Sequence, residues 1–331
     1  MSKTALVAVG GNSLIRAGES GTIAEQLANA RRTAKAIVGL IDLGYRLVIT
    51  HGNGPQVGAQ LLRSERSSNV VYSQSLDVCG AASQGEIGYL LAQSLQNELA
   101  AAGREIPVAS VVTQTVVAAD DPAMGCPTKP IGPFYSRATA EDKRRSLGWH
   151  IVEDAARGYR RVVPSPEPIE IVEREAICSL IEQGALVVST GGGGIPVVRD
   201  KGQLRGVDAV IDKDRASALL AAELQVDLFA ISTDTDYLYL NYRKPDQAPL
   251  EQVTTSQLRQ YLSAGHFPPG NMGPKVESVL YYLRRGGRQA VITSCEHLCE
   301  AALGRAGTRI VSDDVSDRAD VSQELEVPVS G

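Results

Sequence analysis

The sequence predicts an α/β protein built on a largely parallel sheet with helices on both faces. Three observations carry that expectation. Continuous apolar runs of strand length recur along the chain, three of them end in a glycine-rich turn, and segments of helical character separate them. Right-handed crossovers turn such an alternation into a parallel sheet covered on both sides. Composition agrees: of 331 residues, 43% are hydrophobic and 21% charged, ample for one large or two ordinary domains.

The elements follow in order. Ala5–Val9 is a continuous apolar run closed by Gly10-Gly11, the pattern of a strand buried on both faces. Thr22 and Glu25 make a capping box that opens a helix running to about Leu43, with Gly44 as the residue after its end. Arg46–Thr50 is a second strand, leading into His51-Gly52-Asn53-Gly54-Pro55. A helix is expected from about Gln84 to Ala102, followed by an apolar run from Ile106 to Val117. Residues 118–163 interrupt the rhythm with four prolines, several charges and the only tryptophan, Trp149, and read as an inserted subdomain or lid. The alternation resumes with a helix at Ile171–Gln183, a strand at Ala185–Thr190 and the run Gly191 to Gly194. Helices are expected at Asp214–Leu224, Thr254–Ala264 and Lys275–Arg285, and strands at Asp227–Ser232, Gln289–Thr293 and Thr308–Val311, with a short hairpin strand at Tyr237–Asn241. Residues 315–331 are expected to form a mobile acidic tail.

Several function classes drop out. The formal net charge of −5 argues against a nucleic-acid partner. No apolar run reaches the roughly 18 residues of a membrane span, and the N-terminal run reads as a strand rather than a signal peptide. Five cysteines at unrelated spacings predict no disulfide framework, and a reducing cytoplasm is the simpler setting. Cys295 and Cys299, four apart, lack the further ligands of a metal site.

Three glycine-rich loops follow strands: Gly10-Gly11-Asn12-Ser13, Gly52-Asn53-Gly54 and Gly191–Gly194. Glycine lets backbone N–H groups close on an anion, and a following helix N-terminus adds donors. Three such loops on one sheet edge suit a phosphoryl-sized ligand. Neither a P-loop nor a dinucleotide fingerprint is present. Only eight of the 33 basic Lys and Arg residues are lysines, so each lysine is worth locating. Lys129 and Lys275 stand beside prolines, and Lys213 stands between Asp212 and Asp214, placements suited to holding a point charge at a phosphate. Lys3, Lys35, Lys143, Lys201 and Lys244 read as solvated charges. Asp212 reads as a helix N-cap. Asp214 can favour the same helix terminus, orient a lysine or hold metal-bound water. Thr233-Asp234-Thr235-Asp236 can contact a nucleotide or close as Asx turns. His51 reads as a packed histidine that orients its loop; His150, His266 and His297 have no assigned role.

The segments Ala8–Leu14, His51–Gly58, Pro127–Tyr135, Arg160–Pro168, Gly191–Val197, Val210–Asp214 and Pro269–Lys275, in that order, resemble carbamate kinases. The resemblance implies a three-layer αβα sandwich with two lobes and a protruding subdomain, usually as a homodimer. It implies an N-terminal lobe (1–205) for carbamoyl phosphate, carrying the lid at about 118–163, and a C-terminal lobe (206–314) for adenine nucleotide. Carried over residue by residue, Gly10, Gly11, Asn12, Gly52, Asn53 and Gly54 would hold carbamoyl phosphate or carbamate. Gly191, Gly192, Gly193, Thr233, Asp234, Met272 and Lys275 would hold ATP or ADP. Lys129, Lys213 and Lys275 would neutralise the moving phosphoryl group and Asp214 would organise the lysines. Mg²⁺ would be held mainly by the nucleotide phosphates, with no protein metal ligand assigned. An acceptor such as acetylglutamate or a nucleoside monophosphate would need another lid motif. A catalytically silent nucleotide-binding regulator would not need all three lysines.

Overall fold

Lys3–Val9 forms β1 of a computed structural model that describes residues 3–10, 13–16, 18–154, 158–268 and 272–313. Gly11, Asn12 and the expected tail at 315–331 lie outside the described residues. The chain continues through α1 (Ile23–Asp42), β2 (Tyr45–His51), α2 (Gly54–Ser67), α3 (Leu76–Ala101), β3 (Val108–Ser110) and β4 (Gln114–Val116). A protruding unit follows: β5 (Lys129–Tyr135), α4 (Arg137–Leu147), β6 (Ile151–Asp154) and β7 (Gly158–Val163). Next come β8 (Glu170–Ile171), α5 (Arg174–Glu182), β9 (Leu186–Val188), β10 (Ile195–Asp200) and β11 (Gln203–Gly206). The last third holds α6 (Lys213–Glu223), β12 (Leu228–Thr233), β13 (Leu238–Leu240), β14 (Ala248–Leu250), β15 (Gln252–Thr254) and α7 (Thr255–Ser263). It closes with α8 (Met272–Arg284), β16 (Ala290–Ser294), α9 (Leu298–Ala302) and β17 (Thr308–Val311).

The main sheet has eight strands in the order β15-β17-β16-β12-β1-β2-β9-β3. Neighbours run parallel except β16 and β17. Strand β1 shows why three layers form. Its alternate residues Ala5, Val7 and Val9 pack with α1, α3 and α9, whereas Leu6 and Ala8 pack with α5, α6, α7 and α8. Side chains alternate across a strand, so an unbroken apolar run must be covered on both faces. The α/β class with a largely parallel sheet is therefore as expected. Strand β12 pairs directly with β1, so the two halves of the chain share one sheet.

Strands β5, β7 and β6 make a separate three-stranded sheet with α4 against it, and β11-β10-β4-β8 make a four-stranded sheet. The protruding unit keeps a small core with α2 and α3, in which Ile131 and Val163 meet Val57, Leu61, Leu76 and Cys79.

Local signals were read well where they were strong. Both halves of the Thr22–Glu25 capping box form, and Gly44 takes positive φ after α1. Elsewhere the structure corrects the expectation. Helix α2 was not expected and α3 begins at Leu76 rather than Gln84. Glycines 54, 58, 80, 85 and 88 lower their helical propensity, and α3 buries residues around much of its circumference, which erases a one-sided stripe. The helix expected at Ile171–Gln183 splits into β8 and α5, since Ile171 pairs with Thr115. The apolar run at Ile106–Val117 divides between two sheets. Helix α8 starts at Met272, because a proline in a first turn removes no helical hydrogen bond.

Candidate functional site

Strands β1, β2, β9, β12 and β16 run in one direction, so their C-terminal ends lead into loops along a single sheet edge, where ligands of open α/β sheets bind. Three charged side chains meet there. Lys213 and Asp214 open α6, and Lys275 lies in the first turn of α8. Asp214 Oδ1 is 2.9 Å from Lys213 Nζ, and Oδ2 accepts a hydrogen bond from Lys275 Nζ at 2.8 Å. Lys213 Nζ also donates to the carbonyl of Val9, the last residue of β1, at 3.2 Å.

All three side chains are about nine-tenths buried. Burial works against the charge on Asp214, but the two ammonium groups and their hydrogen bonds prevail and hold its carboxyl below the ordinary carboxylate range. Burial, with the neighbouring charge of Lys275, pulls the Lys213 ammonium below its ordinary value, and Asp214 opposes that shift. The cluster thus sets two lysines around one carboxylate in a dry setting, where a phosphoryl oxygen gains most from a nearby ammonium.

Asp212 does two jobs. Its Oδ1 accepts from the N–H groups of Asp214 at 2.9 Å and Arg215 at 3.3 Å, the expected N-cap of α6. Its Oδ2 accepts from Lys129 Nζ at 3.0 Å. Lys129 is the first residue of β5, so the protruding unit delivers its lysine to the residue next to Lys213.

Helix α2 ends differently. Asn53 gives no side-chain cap and instead donates from Nδ2 to Ser83 Oγ at 2.8 Å. Pro55 has no N–H, and Gly52 N–H is committed to the Val9 carbonyl at 3.2 Å. The N–H groups of Gly54 and Gln56 stay uncapped among the described residues, which leaves α2 the freer helix N-terminus for an anion.

The tetraglycine run stands on this side of the site. A Cβ added at Gly191 would fall 2.4 Å from the His51 ring, and one at Gly192 would fall 2.2 Å from the Asn53 side chain. Gln84 Nε2 donates to the carbonyls of Gly191 and Thr113, both at 3.0 Å. The hydroxyls of Ser189 and Thr190 are buried at the end of β9 with no partner among the described residues, the kind of orphan that a ligand or water satisfies. His51 is buried, and its Nδ1 lies 3.1 Å from the Gly52 carbonyl. Burial, with the Lys213 charge, lowers its pKa to about 4 against the raising effect of that carbonyl, so it is neutral at pH 7.

A cavity of about 1010 Å³ opens beside Lys275 and Gly10. Thr233, the last residue of β12, and Asp234 just past it line it as well, and so do residues from α1 and from the end of β16. Of the seven residues expected around a nucleotide, Thr233, Asp234 and Lys275 reach this cavity. Gly191 and Gly192 abut the His51–Asn53 loop, Gly193 abuts the backbone of Ile211, and Met272 packs against the core beneath α8. Asp236, from the same loop as Asp234, lines the cavity too, and so does His297, to which the sequence assigns no role: Asp236 Oδ1 and Ser294 Oγ each lie 3.0 Å from His297 Nδ1. A hydrogen bond from Ser294, then His297, holds the Asp236 carboxyl below its ordinary range against the effect of burial. Position just past a strand end was the available signal.

Lys143 corrects another expectation. It is buried, not solvated: it is ion-paired with Glu65 of α2 and sits 5.2 Å from the Tyr135 ring centre and 4.9 Å from that of Trp149. Lys35 is exposed but borders the cavity. Among the described residues no group of three or more His, Cys, Asp or Glu side chains is placed to hold a metal ion, and no helix is long and apolar enough to cross a membrane.

Residues 3–294 match the model of the amino acid kinase family. The chain is 48% identical over 314 residues to the carbamate kinase of Thermococcus kodakarensis, covering 94% of this chain and 100% of that protein. It is 48% identical over 308 residues to the carbamate kinase of Staphylococcus haemolyticus, covering 92% of this chain and 98% of that protein. Among solved structures it resembles the carbamate kinase from Giardia lamblia bound to AMP-PNP, with a TM-score of 0.90 and 42% identity over 94% of this chain and 99% of that one.

Proposed function

The chain belongs to the amino acid kinase family, within its carbamate kinases, and from that premise we propose that it catalyses reversible phosphoryl transfer, ATP + carbamate = ADP + carbamoyl phosphate. The buried Lys213–Asp214–Lys275 cluster at the sheet edge carries the reading. Carbamate is already an anion, so its oxygen attacks without a general base. The chemistry then asks for in-line positioning and for cancellation of charge on the moving group.

The named side chains supply both. Lys213 and Lys275 neutralise the phosphoryl oxygens, and Asp214 holds the two ammonium groups side by side and charged. Lys129 adds a third positive charge from the lid. Gly10, Gly11, Asn12, Gly52, Asn53 and Gly54 hold the carbamoyl end, helped by the uncapped start of α2, and the tetraglycine run backs that loop. Thr233, Asp234 and Met272 belong to the nucleotide end. In this reading residues 1–205 form the carbamoyl phosphate lobe, with the lid at 118–163, and 206–314 form the nucleotide lobe. Mg²⁺ would be held mainly by the nucleotide phosphates, with the carboxylates of Asp234 and Asp236 on the cavity wall as hard oxygen donors that suit its hydration shell. When bound, the ion shields the phosphate charge. Five unpaired thiols suit a cytoplasmic setting. The exposed apolar side chains of Val70, Val71, Tyr72, Val78 and Tyr89 at α3 and its approach support a homodimer.

The test is ATP formation from ADP, Mg²⁺ and carbamoyl phosphate, with acetyl phosphate as a parallel donor. Rapid ATP formation that prefers carbamoyl phosphate is expected. A folded, ADP-binding protein that forms no ATP would sink the proposal.

A further inference from the structure

Lys129 can act only if the lid strand that begins with it is aimed at the site, and that strand is held at two points along α2. The first is a close approach of backbones: a Cβ on Gly58 would lie 3.1 Å from Gly132 Cα. The second lies farther along both elements. Glu65 of α2 is ion-paired with Lys143 of α4, and Tyr135 Oη, at the end of β5, donates to Glu65 Oε2 at 3.5 Å. Between the two contacts β5 is irregular: Gly132 takes positive φ, and the four steps from Ile131 to Tyr135 oppose only two of β7. A bulged strand has no stiffness of its own to set its course, so the two contacts with α2 fix the direction of β5.

The second point is built for a single arrangement. Lys143 is buried, and its ammonium touches Glu65 and the rings of Tyr135 and Trp149. Arg161 of β7 also lies over Trp149, at 4.5 Å, and pairs with Asp208 in the segment leading to α6. A buried ammonium with one carboxylate partner is costly to leave unpaired, which fixes the lid rather than merely tethering it.

We propose that Glu65 is a positioning residue for the transfer reaction: by clamping Lys143 and Tyr135 it sets the angle of β5 and thereby the place of Lys129 over the carbamoyl phosphate end. Without the clamp, β5 pivots about the Gly58–Gly132 contact and Lys129 leaves Asp212. The effect is confined to one substrate, because among the described residues no lid residue lines the cavity beside Lys275. The inference rests on the kinase reading above for the identity of that substrate.

The experiment compares wild type with Glu65→Gln and Lys143→Gln, all full-length, by steady-state kinetics in the ATP-forming direction and by acrylamide quenching of Trp149, the only tryptophan. Each variant is expected to raise KM for carbamoyl phosphate about tenfold, with KM for ADP within twofold, and to make Trp149 more accessible to quencher. The double variant should be no worse than the worse single. Equal rises in both KM values, or no change in either, would overturn the proposal. A wild-type chain that forms no ATP would defeat the kinase reading instead. Quenching then still decides the clamp, because unchanged Trp149 accessibility in Glu65→Gln removes it.

Discussion

The sheet edge and the lid both present lysines to the same place, but they hold them by different physics. Lys213 and Lys275 rise from helices packed on a core that is closed on both faces, and one buried carboxylate serves both. Lys129 rises from a three-stranded unit whose own core is small, is more than a third exposed, and reaches the site through an ion pair with Asp212. The first arrangement is set once the core forms. The second depends on a few polar contacts, Lys129–Asp212, Lys143–Glu65 and Arg161–Asp208. Under the proposed function, rigid charge is kept at the phosphoryl path and adjustable charge at the carbamoyl phosphate end.

Removing the shared carboxylate is the harshest way to break that contrast. Asp214→Ala leaves two buried ammonium groups without their carboxylate, a loss on the scale of 3–5 kcal/mol, and turnover should become undetectable while thermal unfolding moves sharply down. Lys213→Ala or Lys275→Ala should lower kcat by about 10²–10³, the scale of one transition-state donor; near wild-type kcat in both would take these lysines out of the mechanism. Lys129→Met sharpens the comparison from the other side. It should raise KM for carbamoyl phosphate by about 10–100-fold, the value of a charge-assisted hydrogen bond, with little change in Tm. A drop in Tm as large as that of Asp214→Ala would show that the lid is part of the core.

A pH series separates the two regions again. The pKa of buried His51 falls from 6.5 to about 4 on folding, so the unfolded chain takes up its proton first as pH drops. Its contribution is intact above pH 6.5 and is lost as pH falls through 4, up to about 3 kcal/mol. Urea unfolding across that window should show the slope in wild type and a flatter one in His51→Gln. The smallest effect is at α1: Thr22→Ala should cost about 1 kcal/mol of stability and leave both KM values alone. A change in either would mean that α1, which borders the cavity, positions ligand as well.

Much of this was legible in the sequence because it is local. An apolar run without alternation requires cover on both faces, which made the parallel sheet readable from Ala5–Val9 alone. Strand ends followed by glycines, and lysines beside prolines or aspartates, marked Gly10, Gly52, Lys129, Lys213, Asp214 and Lys275. Asp212 was readable as an N-cap because the bond spans two residues. The order of the motifs along the chain by itself points to the family.

What the tertiary structure alone decided are relations between residues far apart in the chain. Nothing near Asp214 in sequence says that its second oxygen belongs to Lys275, 61 residues on, or that Lys143 is buried against Glu65, 78 residues back. Nor does a run of four glycines state whether it faces nucleotide or backs the Asn53 loop. Helix α2 stayed hidden because two glycines weaken its local signal and its lid partner comes from the far side of α3. Local preference follows from a residue's own backbone and its nearest neighbours. Which charges meet, and which are dried by burial, follows only from how the sheet, helices and lid close on one another.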